Sequence, residues 1–130
     1  MRANGADHGE AFAAIAADHA HMLELVDRIE VGMGEPEPDR GAISALLDAL
    51  VTSTREHFAR EEALMGDAPL EEFVQHRRDH HYLFKVLSDF ALAFQSGSLA
   101  ASVEVAFDLH NWLSFHIERF DSRLHEILQG

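Results

Sequence analysis

The sequence contains no cysteine. That excludes disulfides, thiolate zinc sites, iron–sulfur clusters and cysteine nucleophiles together. Positive charge is scarce: ten Lys and Arg stand against 23 Asp and Glu, a formal charge of −13. Such a chain is poorly matched to nucleic acid or to an anionic membrane surface, both of which call for basic contacts. Most of the acidity reads as a solvated surface. No apolar run is long enough to span a bilayer, and the N-terminal MRANGADHGEAF lacks the apolar core of a signal peptide, so the expected compartment is the cytoplasm. The HExxH, GxGxxG, P-loop and GxSxG patterns are absent. So is any Glu-x-x-His pair, which disfavours the ferritin-like di-iron carboxylate class that uses it twice.

What remains is helical. The 130 residues are 47% hydrophobic, enough for one core, and are expected to form a single domain, 1–130. A first helix is expected to start near Asp7, with Asp7 and Glu10 as a capping-box-like pair and an inner stripe of Phe12, Ile15, His19, Met22/Leu23, Val26 and Ile29. Residues 32–41, GMGEPEPDRG, are a loop by their glycines and prolines. A second helix carries Ile43, Leu46/Leu47, Leu50/Val51, Thr54, His57/Phe58, Glu61 and Leu64/Met65. Gly66 can end it, and Asp67 with Pro69 can open the next. The third carries Phe73, His76, His80, Leu83/Phe84, Leu87 and Phe90/Phe94, and stops at QSGS, 95–98. The fourth carries Leu99, Val103, Ala106, Leu109, Leu113, His116, Phe120/Asp121, Leu124 and Leu128. Short connections favour antiparallel neighbours, so the expected fold is all-α, an up-down-up-down four-helix bundle.

Seven side chains able to ligate a metal fall on these inner stripes: His19, His57, Glu61, His76, His80, His116 and Asp121. His57 and Glu61, and likewise His76 and His80, are four apart and share a face. Imidazole with carboxylate suits iron, manganese or zinc, and two carboxylates can bridge a metal pair. A lone histidine on an apolar face is more often a core residue than a ligand. Five of them with two inward carboxylates are hard to satisfy by hydrogen bonds alone, and a metal pair resolves the problem. His8, His21, His81, His110 and His125 lie off these faces or have no partner; His19 is preferred to His21 because Ile15, Met22 and Leu23 flank it one turn away. Arg77 and Arg78 read as a solvated face, and Trp112 as an apolar anchor on the fourth helix.

The segments IAADHAHMLELV, HFAREEALM, HRRDHHYLF and WLSFHIERFD together resemble the hemerythrin family, specifically its single-domain bacterial members, over roughly Phe12 to Leu128. The last three match the family's HFxxEExxM, HxxxH and WLxxHIxxxD, in the family's order. The resemblance implies two non-haem iron ions with a bridging oxo or hydroxo group, binding dioxygen reversibly. It gives His76, His80 and His116 to a coordinatively full iron, and His19 and His57 to one with an open position, bridged by Glu61 and Asp121. Leu23, Phe58, Trp112 and Leu113 would form the oxygen pocket, with Phe115 and Ile117 nearby. The chain departs from the family at Ala16, where an acid is common, and in having Trp112 as its one tryptophan. Some relatives end the ligand set with Glu four after the last histidine; here Phe120 stands there and Asp121 follows at five, which favours the oxygen-binding type over the nitric-oxide or iron–sulfur-repair type. The expected function is therefore non-enzymatic carriage, storage or delivery of dioxygen, with a separate oxygenase as a recipient. A di-iron peroxidase or oxidase, or a nitric-oxide-responsive enzyme, an oxygen or iron sensor working through a separate partner, and a metal store or zinc protein are the alternatives.

Overall fold

Capping and glycine geometry set where the helices stop. Asp39 is extended and its Oδ1 accepts from the Ala42 N–H at 3.0 Å, opening helix α2, Arg40–Met65. Gly66 closes α2 at φ +60°, a conformation that favours glycine, with its N–H donating to the Glu62 carbonyl. Helix α1 spans Asn4–Met33, and α3 spans Glu71–Gln95, opened by Leu70 and followed by Gly97 at φ +83°. Helix α4, Val103–His116, runs through one π-helical turn, Ile117–Asp121, into α5, Ser122–Gln129. This computed structural model describes residues 4–66, 70–97 and 103–129, with side chains described for 9–66, 70–97 and 107–128.

These elements form an all-α four-helix bundle, with no strand among the described residues. Helix α1 packs along α2 and α4, and α2 along α3. Two apolar clusters stack along it. The larger joins Met22, Val26 and Ile29 to Ile43, Leu47 and Leu50, to Leu87 and Phe94, and to Leu109. The smaller, at the other end, joins Met65, Phe73 and Leu124. The layer between them carries the polar stripe residues. Arg40 fixes the lower end: it donates to the Phe94 carbonyl at 2.9 Å and lies 4.2 Å over that ring.

The sequence pattern holds with local corrections. Helix α1 begins at Asn4, ahead of the expected start near Asp7, whose side chain lies outside those described. Along α1, Leu25 is buried and Leu23 is half-buried, since the inward face centres on Met22, Val26 and Ile29. Asp67, Pro69, Leu99, Val103 and Ala106 fall outside the side chains described, and Leu70 takes the N-cap of α3. No described helix is long and apolar enough to cross a membrane.

Candidate metal centre

All seven inner polar residues converge on one layer. His57, Glu61, His76, His80, His116 and Asp121 are buried, and His19 is half-buried. They form two overlapping groups: Glu61, His76, His80, His116 and Asp121 in one, His19, His57, Glu61 and Asp121 in the other. Within each group the donor atoms lie within 4.8 Å of one another. The two carboxylates belong to both.

Asp121 divides its oxygens between the groups. Oδ1 lies 2.9 Å from His76 Nε2 and 3.0 Å from His116 Nε2. Oδ2 lies 2.7 Å from His19 Nε2 and 3.4 Å from His57 Nε2. Glu61 Oε1 lies 3.0 Å from His80 Nε2 and 3.4 Å from His57 Nε2, while Oε2 is buried with no hydrogen-bond partner. The π turn makes the Asp121 placement. In an α-helix a residue five after His116 would lie about 140° round the axis. Here the Ser122 N–H donates to Ile117 O, five back, and the widened turn brings Asp121 onto the His116 face.

A second layer of acids orients the imidazoles. His57 Nδ1 lies 3.1 Å from Asp18 Oδ2, His80 Nδ1 lies 2.8 Å from Glu62 Oε2, and His116 Nδ1 contacts Asp79 Oδ2. Arg60 in turn grips Asp18 with two bonds, of 2.8 and 2.9 Å. Each link runs from one helix to the histidine of the next. A carboxylate can only accept, so Nδ1 carries the proton and Nε2 presents its lone pair inward. There those lone pairs meet carboxylate oxygens, which are also acceptors. Cations between them satisfy the arrangement, and the unpartnered Glu61 Oε2 offers one more donor atom to such a cation. The residues fit a metal pair.

Without a cation, protons must fill the gap. Burial would raise the Glu61 carboxyl, but His116, His76 and His80 outweigh it and hold it at about 2. Asp121 is held well below the ordinary carboxylate range against the same burial by His116, His19, His57 and His76. Burial would lower His116, yet Asp121, Asp79 and Glu61 push it up to about 11. His57 and His76 are raised in the same sense, against burial, with Asp121 the leading partner of each.

The surroundings sort the remaining sequence expectations. An apolar cavity of about 40 Å³ is lined by Phe58, Trp112 and Leu113, with Val26, Leu50, Thr54, Leu83, Leu87 and Leu109. Phe58 connects it to the cluster, stacked on the His80 ring at 3.9 Å and 5.4 Å from His116. Leu23 does not line it: Val26, one helical turn nearer the bundle centre, takes that place. Trp112 is 39% exposed, so its N–H needs no buried acceptor. Phe115 points outward with Arg119 at 5.6 Å from its ring, whereas Phe120 lies against His116. His21 is exposed, His110 faces Asp27 at 3.3 Å, and His125 stacks on Phe12 at 3.9 Å. Arg78 is exposed, but Arg77 is half-buried, with Nη1 at 3.8 Å from the Met65 sulfur. Asp18, Glu62 and Asp79 were not singled out by sequence reasoning, although each sits next to a ligand candidate, beside His19, Glu61 and His80.

The family model described as "Hemerythrin HHE cation binding domain" matches residues 10–128. A bacteriohemerythrin of Stenotrophomonas maltophilia is 31% identical over 107 residues, covering 82% of this chain and 68% of that protein. One from Pseudomonas aeruginosa is 29% identical over 104 residues, 80% of this chain and 66% of its own length. One from Ralstonia nicotianae is 24% identical over 109 residues, 84% and 75% respectively. The chain thus spans about two thirds of the length of the first two relatives. No solved structure matches it. With the matched domain covering nearly the whole chain and seven histidines and acids gathered in one layer, the protein belongs to the hemerythrin family.

Proposed function

We propose that this chain, acting as one domain over 1–130, binds dioxygen reversibly at a pair of non-haem iron ions. His76, His80 and His116 would hold one ion, His19 and His57 the other, and Glu61 and Asp121 both. The observation that carries this reading is the split of Asp121, whose two oxygens face the three-histidine and two-histidine groups separately. The two-histidine group offers one imidazole fewer than the three-histidine group, so an ion held there would have room for a small ligand. A ferrous pair held there would supply the electrons that reversible dioxygen binding requires.

The protein's own residues do the rest. Asp18, Glu62 and Asp79 keep the inward lone pairs fixed. Phe58, Leu113 and the inner part of Trp112 keep an apolar chamber beside the cluster, which admits a neutral diatomic and disfavours water. A carrier needs that exclusion, because a proton reaching the bound gas would end reversibility. The likeness to relatives named bacteriohemerythrin supports the reading. The test is an optical spectrum of the reduced, iron-loaded protein before and after air. A new band that disappears on deoxygenation, over repeated cycles, is expected. One-way bleaching on first exposure overturns carriage.

A peroxidase or oxidase is the second reading. It draws on one feature: His19 borders an open groove, so the two-histidine side is accessible to polar molecules. Sustained turnover of peroxide by the iron-loaded chain would favour it.

A further inference from the structure

Three approaches reach the buried cluster from different sides, and their chemistry differs. The apolar cavity against Phe58 offers Thr54 as its one polar side chain apart from the Trp112 indole. A hydrated divalent cation cannot shed its water there, because nothing replaces the lost ligands. A second depression, of about 160 Å³, lies over His76 and is flanked by Arg119, Arg123 and Glu72, the last two paired at 2.9 and 3.2 Å, which leaves an excess of positive charge. Arg119 meets the rings of Phe115 and Phe120, and no carboxylate among the described residues neutralises it. A cation approaching there is repelled.

The third is an open groove of about 400 Å³ between the N-terminal half of α1 and the π turn with α5. His19 and Asp121 form its floor, and Ala16, His125 and Glu126 stand on its walls. The His19 side chain is 17% exposed, while those of His57, His76, His80 and His116 are 1–3% exposed. Farther out, the His125 ring is held flat on Phe12, 14° from parallel, and makes no hydrogen bond among the described residues. Its nitrogens are available. Glu126 adds negative charge, partly offset by Arg123 at 3.0 Å.

We infer that metal ions enter and leave the seven-residue cluster through this groove, taken up first by His125 and passed to His19 at its floor, while neutral gas uses the apolar cavity opposite. The inference rests on the reading that the cluster binds metal. It follows from ligand replacement: an incoming cation needs a new donor for each water it loses, and this groove supplies imidazole and carboxylate from rim to floor, whereas the carboxylate over His76, that of Glu72, is already held by Arg123. His125 is a transfer residue and not a final ligand, so it sets rates and leaves the amount bound unchanged. An obstruction in the groove raises one barrier common to entering and leaving, and slows both equally.

The experiment mixes the metal-free full chain with cobalt(II) and follows visible absorption in stopped flow, then follows release to EDTA. Ala16→Trp places a bulky ring in the groove from an exposed helical position. It is expected to slow uptake and release alike by about tenfold, the factor given by about 1.4 kcal/mol of added barrier, with final cobalt content unchanged. His125→Phe keeps a ring on Phe12 but removes the nitrogens, and should slow uptake without altering the final content; it stands as the test if the bulkier variant fails to fold. Leu83→Ala, which widens the apolar cavity, should load at the wild-type rate. Wild-type rates in His125→Phe and Ala16→Trp, or equal slowing in Leu83→Ala, overturn the route while leaving the metal reading intact. Wild-type protein that takes up no cobalt overturns the metal reading itself, and the route with it.

Discussion

Asp79→Asn tests whether the acids behind the histidines govern the centre. Asp79 contacts Nδ1 of His116, whose side chain is 1% exposed and whose Nε2 faces Asp121 at 3.0 Å. The substitution keeps shape and volume and removes the charge. An amide can also turn its NH₂ toward the ring, making Nδ1 an acceptor and moving the proton to Nε2, where it points into the metal layer. That tautomer cannot ligate. Loss of such an outer partner costs about 10–100-fold in metal affinity, or about 1.4–2.7 kcal/mol. The expected result is a shift of that size in anaerobic iron(II) competition against a chromophoric chelator at neutral pH, with helical content retained. Asp89→Asn, on the same helix, removes an exposed partner of Lys85 and should leave affinity unchanged. Wild-type affinity in Asp79→Asn, or an equal loss in Asp89→Asn, would show that bulk acidity and not this contact sets the affinity.

The metal-free protein should be most stable between about pH 4.5 and 6.5. Glu61, lowered from 4.5 to about 2, contributes fully above 4.5 and loses that contribution as pH falls toward 2. His116, raised from 6.5 to about 11, contributes fully below 6.5 and loses it as pH rises toward 11. A thermal-melting maximum outside that window would contradict the ion-pair account. His19→Ala should lower iron content on the two-histidine side, while His21→Ala, at an exposed position, should match wild type in metal analysis; the reverse outcome would refute the choice of histidine. Leu113→Ala should hasten loss of the oxygenated band with both irons retained, at a stability cost of about 2 kcal/mol, the low end for a leucine because the side chain is half-buried. An unchanged decay would confine Leu113 to packing.

The bundle and the seven inner polar positions were legible because helical spacing projects directly onto faces: His57 with Glu61, and His76 with His80, need nothing beyond 3.6 residues per turn. Asp121 was read on the stripe only as one of the pair Phe120/Asp121, and the reason it faces inward was not legible: five residues after His116 is off that face until the backbone widens. The outer acids were hidden for a related reason. Asp18, Glu62 and Asp79 lie about 100° off the inner stripe and read as surface charge until a neighbouring helix is placed beside them. Periodicity paired Met22 with Leu23 on the stripe and could not tell that Met22 is the fully buried one of the two, or that Val26 reaches the cavity.

The acid links also bear on mirror topology. Four antiparallel helices can be wound clockwise or anticlockwise with the same apolar stripes facing inward. In α1 and α3 the linking acid comes just before the inner residue, Asp18 before His19 and Asp79 before His80; in α2 it comes just after, Glu62 after Glu61. Reversing a helix reverses the sense in which its sequence turns about the axis, so before, after and before all place the acid on the same rotational side. Asp121 of the π turn then meets His19 at 2.7 Å and closes the circuit back to α1. In the opposite winding every acid would face away from the histidine it holds. The charges that tune the centre therefore also select the hand of the bundle, a choice to which the apolar core is nearly indifferent.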